Sequence, residues 1–285
     1  MTAAEPTPRD HPSEGSAPWE RGPALLFCPA DRPDRYATAS VRADAVIIDL
    51  EDAVLPDAKD SARLALASAD LDPASTIVRI NPLGTDDADA DLRALAGTGL
   101  RWVMVAKAEQ ASSFDVLDER YRAIALCETA LGVQSAPEIA RHPRVAALMW
   151  GAEDLVASLG GMSSRRSDAG YRDIARFARA RVLLAAGAAG KAAIDAVHLD
   201  IDDLDGLSTE AEDAAASGFR ATACIHPKQA PAIREAYRPA DSDIAWASDV
   251  LAAAESEAGV FRFRGRMIDG PLLRHARAVL ARAGR

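Results

Sequence analysis

At 285 residues with 49% hydrophobic side chains, the chain can bury one large core of the size of a single α/β barrel, and 5% aromatics mean a core of Ala, Val, Leu and Ile. A formal net charge of −10 excludes nucleic-acid binding through the whole surface and leaves room for a local basic pocket facing an anion. Cys28, Cys127 and Cys224, odd in number and far apart in apolar runs, exclude a disulfide framework or zinc cluster and fit reduced thiols in a cytoplasmic protein.

Residues 1–22, with Pro6, Pro8, Pro12, Pro18 and Gly15, lack the apolar stretch of a signal peptide and read as a disordered lead-in. Short β-rich runs follow at 24–28, 45–50, 76–80, 102–106, 123–127, 145–150, 196–199 and 221–225. Between them, 59–66 has helix-forming composition and 168–186 sets apolar and Arg positions at helical spacing. The Ala-rich stretch 182–197 is interrupted by Gly187, Gly190, Lys191 and Asp195, too soon to cross a membrane.

Eight strands alternating with helices predict an α/β fold, a (β/α)8 TIM barrel over 23–229, with a C-terminal extension over 230–285. A doubly wound sheet is the alternative, and no Gly-x-Gly-x-x-Gly turn follows the first strand to favour it. In a barrel the C-terminal strand ends share one mouth, where barrel enzymes place their chemistry. Those ends carry Asp31 and Arg32; Asp49, Glu51 and Asp52; Arg79 and Asn81; Lys107 and Glu109; Glu128; Glu153 and Asp154; Asp200 and Asp202; and His226. Helix caps favour Ser, Thr, Asn and Asp, so acids mixed with Arg and Lys point to a binding site.

Glu128 and Asp154, each just after an apolar run, suit a hard divalent cation such as Mg²⁺; the alternative is two helix N-caps. Arg79, between Val78 and Ile80, needs an anionic partner: a substrate carboxylate, or a strand carboxylate such as Glu51. Cys127 could act as a nucleophile only with a base, and no histidine is visibly arranged for it. The stretch from Val260 to Met267 alternates around Arg262, Arg264 and Gly265, which suggests a short hairpin presenting Asp269.

Six ordered motifs carry a resemblance: Leu26-Phe27-Cys28-Pro29-Ala30-Asp31-Arg32-Pro33-Asp34-Arg35, Ile48-Asp49-Leu50-Glu51-Asp52-Ala53-Val54, Val78-Arg79-Ile80-Asn81, Glu128-Thr129-Ala130, Gly151-Ala152-Glu153-Asp154 and Ile225-His226-Pro227. Together they resemble the citrate lyase beta-subunit-like family of the HpcH/HpaI aldolase superfamily, which includes malyl-CoA and citramalyl-CoA lyases. The resemblance implies a Mg²⁺-dependent barrel that makes or breaks a C–C bond between an α-keto acid (oxaloacetate, pyruvate or glyoxylate) and a CoA-type thioester. It implies Glu128 and Asp154 as metal ligands, with Glu128 also on the substrate side, and Arg79 as the catalytic group that holds the keto acid's carboxylate. Glu51 and Asp52 are implied beside the metal, orienting bound water. The thioester's nucleotide phosphates need local cations, for which Arg32, Arg35 and Lys107 are the candidates.

The motif Gly265-Arg266-Met267-Ile268-Asp269-Gly270-Pro271 resembles the lid of the CoA lyases, which makes Asp269 the candidate catalytic acid/base, reaching a neighbouring subunit in a homotrimer or hexamer. Without the family, Asp269 reads as a cap of the helix starting near Pro271. Two departures touch the pocket rim: Ala106 stands where the family usually has proline, and Ala30-Asp31 replaces Gly-Asn. The alternatives are a citrate lyase beta subunit acting on a citryl thioester carried by an acyl carrier protein, and a Mg²⁺- and keto-acid-binding protein without turnover. Asp269 argues against the last, because a pure binder needs no general base.

Overall fold

The computed structural model describes residues 16–257 and 259–284. It shows a closed barrel of eight parallel strands: β1 (Ala24–Pro29), β2 (Ala45–Asp49), β3 (Thr76–Ile80), β4 (Trp102–Val105), β5 (Arg122–Cys127), β6 (Val145–Trp150), β7 (Ala192–Asp195) and β8 (Ala221–Cys224). Helices α1 (Tyr36–Arg42), α2 (Lys59–Ser68) and α3 (Asp86–Ala96) follow the first three strands. After β4 comes only a 3-10 segment, Ala111–Val116, closed by the buried Phe114. Then α4 (Ala130–Arg141) follows β5, α5 (Ala152–Ser158) and α6 (Asp173–Ala188) follow β6, α7 (Leu204–Ser217) follows β7, and α8 (Ala230–Tyr237) follows β8.

Period-two alternation builds the interior. Leu25, Ala45, Ile47, Ile77, Met104, Ile124, Leu126, Ala147, Met149, Ile194, Ala221 and Ala223 form one buried cluster. Intervening side chains such as Ile48, Val78 and Leu148 are equally buried, as a parallel sheet covered by helices demands. Most of these residues are β-branched or small, which explains how a core with few aromatics fills the barrel. At the N-terminal end, Trp19 packs edge-to-face on Trp102 with ring centroids 5.1 Å apart. The expected lead-in therefore ends early: residues 1–15 lie outside the described residues, whereas Pro18–Glu20 is a 3-10 turn with Pro18 buried.

The seventh strand corrects the sequence reading. It runs over Ala192–Asp195, four residues before the expected 196–199, and pairs Ala147 with Ala192 and Asp195 with Thr222. A buried acid disguises it. Asp195 accepts from Trp150 Nε1 at 2.6 Å and from Arg179 Nη2 at 2.8 Å, so the charge at the strand's end is neutralised behind the sheet. Asp200 and Asp202 accordingly leave the strand end and sit exposed in the following loop.

The chain divides after Ile233 into two compact units. The C-terminal unit contains α9 (Asp241–Ala254), the antiparallel pair β9 (Phe261–Phe263) and β10 (Arg266–Ile268), and α10 (Gly270–Arg282). Ala247, Val250, Phe261, Ile268 and Ala276 form its core. The hairpin turns through Arg264 and Gly265, both left-handed at φ 47° and 83°, the two-residue turn that matches strand twist. Among the described residues no helix is long and apolar enough to cross a membrane.

Candidate active site

Strand parity decides which side chains reach the barrel axis. The inward series runs Ala45, Ile47, Asp49 on β2, Ile77, Arg79 on β3, and Ile124, Leu126 on β5 with Glu128 directly after its end, so polar side chains top an apolar column. Asp49 and Arg79 are register partners. Arg79 donates from Nε to Asp49 Oδ1 at 2.7 Å and from Nη2 to Oδ2 at 2.6 Å, a bidentate fork. Its Nη1 lies 3.4 Å from Glu51, and the guanidinium covers the Phe27 ring at 5.0 Å. Burial opposes the charge, but Asp49 and Glu51 outweigh it and hold Arg79 firmly protonated.

A cavity of about 390 Å³ opens at this mouth, within the range of small-molecule sites. Phe27, Leu126 and Met149 give it an apolar lining, while Arg79, Glu128 and Asp154 give it charge; Asp52 and Glu153 also face it. Glu128 is only 2% exposed, and Lys107 N donates to its Oε1 at 3.0 Å. Burial first, then the neighbouring Asp154, pushes its carboxyl up to about 8.

The helix-cap alternative fails for both acids. Thr129, not Glu128, caps α4, accepting from Gly132 N at 3.0 Å; Asp154 lies inside the first turn of α5, whose N-cap is Gly151. Gly151 matters for a second reason: a Cβ there would stand 2.9 Å from both Cβ and Oε2 of Glu128. A hydrogen at that position leaves space for the Glu128 carboxylate. Two acids facing one cavity, one of them raised by burial and by the other's charge, form a hard-oxygen donor set that fits Mg²⁺ with open positions for water and substrate. Among the described residues no cluster of three or more His, Cys, Asp or Glu forms a closed metal cage.

Behind this layer, buried polar groups hold the loop after β2. Lys59 Nζ donates to Leu50 O at 3.1 Å and to Asn81 Oδ1, Asn81 Nδ2 donates to Asp91 Oδ2 at 2.7 Å, and Asp91 pairs with Arg63. Glu51, 4% exposed, is shared by Arg79 and Lys107; burial raises its carboxyl above the ordinary value even so.

The structure thus brings Arg79, Glu128, Asp154 and Asp52 to one cavity, with Glu51 directly behind. Arg32 is not among the cavity-lining residues; it pairs with Asp34 on the surface at 2.9 Å. Asp269 caps α10 in the C-terminal unit, accepting from Leu272 N at 3.3 Å. Lys107, grouped by sequence with phosphate-binding cations, is instead bonded to Glu51 and Asp52. Cys127 is fully buried, with its thiol pushed up to about 12 by burial and by Glu128, which removes it as a nucleophile. Sequence reasoning missed Asp49 as the partner of Arg79; its signal is parity, since it stands two residues after the inward Ile47.

The model of the family described as HpcH/HpaI aldolase/citrate lyase matches residues 24–227. A citrate lyase subunit beta-like protein of Mycobacterium tuberculosis is 56% identical over 263 residues, covering 92% of this chain and 96% of that protein. The mitochondrial citramalyl-CoA lyase of Homo sapiens is 31% identical over 286 residues, covering 89% of this chain and 83% of that one. The crystal structure of CitE from Mycobacterium tuberculosis in complex with magnesium, acetoacetate and coenzyme A superposes with a TM-score of 0.88 at 55% identity, covering 93% of this chain and 98% of that one.

Proposed function

The chain belongs to the HpcH/HpaI aldolase/citrate lyase family, and from that premise we propose that it is a Mg²⁺-dependent lyase that splits, or joins, a 3-hydroxyacyl-CoA of the malyl or citramalyl type. The products of cleavage are an α-keto acid and an acyl-CoA. The observation that carries this reading is the juxtaposition of Glu128 and Asp154 with Arg79 in one mostly apolar cavity at the barrel mouth.

Glu128 and Asp154 would hold the ion, which when bound supplies Lewis-acid polarisation of the hydroxyl that becomes the keto oxygen. Arg79 neutralises the carboxylate of the keto-acid fragment, and its fork on Asp49 fixes the guanidinium in advance, so little reorganisation accompanies the reaction. Glu51 and Asp52 orient water beside the acids. Phe27, Leu126 and Met149 keep bulk water from the breaking bond. Asp269 of a neighbouring copy in a homo-oligomer removes the hydroxyl proton in cleavage and returns it in synthesis. The electrons of the broken C–C bond leave on the thioester fragment as an enolate, which is then protonated.

A second reading, favoured by the similarity to the Mycobacterium tuberculosis beta-like protein, is a citrate lyase beta subunit giving oxaloacetate and an acetyl thioester with partner subunits. One assay separates the two. The first predicts that purified protein with Mg²⁺ releases keto acid from malyl-CoA or citramalyl-CoA and that a chelator stops it. Activity only after adding an acyl carrier protein and a transferase subunit supports the second, and no release under either condition refutes the lyase reading.

A further inference from the structure

We infer that Lys107 is a positioning residue that keeps part of Arg79 free for a substrate carboxylate by satisfying Glu51 in its place. The inference deepens the lyase reading and rests on it.

Alternation along β4 runs inward through Trp102 and Met104 to Ala106, which would turn Lys107 outward to the helix layer. Lys107 instead adopts a left-handed conformation at φ 48°, where residues with a Cβ are uncommon. The backbone on either side stays in the barrel ladder, since Ala106 N donates to Ile80 O at 3.2 Å and Ala108 N to Leu126 O at 2.9 Å. Only the Lys107 N–H leaves it, donating to Glu128 Oε1. The same twist delivers the ammonium to Glu51, in close contact, and to Asp52 at 3.1 Å. One residue thereby serves two acids of the site through its side chain and a third through its main chain.

The consequence lies in how Arg79 divides its donors. Nε and Nη2 are committed to Asp49, while Nη1 stands at 3.4 Å from Glu51, a loose contact. Glu51 is nearly buried and must be neutralised. With Lys107 present, the ammonium does this, and Nη1 remains able to meet an anion in the cavity that Arg79 lines. Without it, Arg79 is the remaining cation against Glu51, and Nη1 closes on the protein's own carboxylate.

Removing the ammonium also makes the site one charge more negative. Asp49, Glu51, Asp52, Glu128 and Asp154 then face Arg79 alone. That change opposes an anionic keto acid and does not oppose a divalent cation, so the two affinities do not fall together. A lysine that merely propped up the fold would weaken both.

The test is calorimetric titration of the full-length protein with MgCl2, and then with pyruvate at saturating Mg²⁺. For Lys107→Met the inference expects pyruvate affinity to fall about tenfold or more while Mg²⁺ affinity is unchanged or up to about tenfold tighter. Lys107→Arg should restore pyruvate affinity to within about threefold of the wild type, because it returns the charge. Lys107→Gly keeps the main-chain N–H, suits the left-handed turn, and should reproduce the pyruvate defect without a lower melting temperature. Parallel weakening of both ligands, unchanged pyruvate affinity in Lys107→Met, or a Lys107→Arg protein as defective as Lys107→Met would each overturn it. Wild-type protein that fails to bind pyruvate with Mg²⁺ would overturn the lyase reading itself, and the inference with it.

Discussion

Metal binding at Glu128 should be coupled to proton release. With its carboxyl at about 8, Glu128 is ionised in about one metal-free molecule in eleven at pH 7 and in about one in a hundred at pH 6. A divalent cation must displace that proton to use the carboxylate. The apparent dissociation constant of Mg²⁺ should therefore fall about tenfold from pH 6 to pH 7, by about another fivefold to pH 8, and flatten above it. At pH 7 the cost of deprotonation is RT ln 11, about 1.4 kcal/mol. Calorimetry in two buffers of different ionisation enthalpy should count about 0.9 proton released per Mg²⁺ at that pH. The stability sign follows from the same shift. Because the folded value lies above the ordinary 4.5, the metal-free fold is favoured by this group below 4.5 and loses that contribution as pH rises through about 8. The rise in melting temperature on adding Mg²⁺ should accordingly grow between pH 6 and pH 8. A pH-independent affinity with no proton release would refute the raised carboxyl, and a Glu128→Gln protein that binds Mg²⁺ as the wild type does would refute Glu128 as a ligand.

Three substitutions extend the tests. Gly151→Ala places a methyl against Glu128 Cβ and Oε2, and should lower stability by about 1–3 kcal/mol and weaken Mg²⁺ binding together; unchanged denaturation and Mg²⁺ titrations would show that the glycine is dispensable. Arg79→Met strips Asp49 of its fork and should cost about 3–5 kcal/mol in chemical denaturation, besides abolishing keto-acid binding; a loss under about 1 kcal/mol would mean that Asp49 has another counterion. Asp269→Asn retains the helix cap, so it should leave the fold, Mg²⁺ and keto-acid binding intact while abolishing turnover, and an unchanged rate would remove its acid/base role.

The legibility of the chain followed parity. Seven of the eight strands could be read from their apolar runs because a parallel sheet buried on both faces leaves little else in them, and Glu128 stood out as the acid directly after one. The seventh strand escapes that pattern because it ends in Asp195, whose burial is made tolerable by Arg179 and Trp150 from elsewhere in the chain. Long-range pairing of that kind leaves no local trace. The choice between substrate and protein for Arg79 was open for the same reason: the fork to Asp49 spans 30 residues of sequence. The left-handed turn at Lys107 had no signal either, since a glycine or asparagine would have announced it and a lysine does not.

The stacking of Asp49, Arg79 and Glu128 above Ile47, Ile77 and Leu126 separates two tasks along each strand. The lower storeys carry the cohesion of the barrel, and the last one carries its chemistry. A substitution in the top storey changes which anion or cation is held without repacking the floors beneath, whereas a one-residue deletion within a strand turns its top residue to the opposite side of the wall. For such a chain, point changes at strand ends are the accessible route to a new ligand preference. Changes of strand length are the route to losing the enzyme.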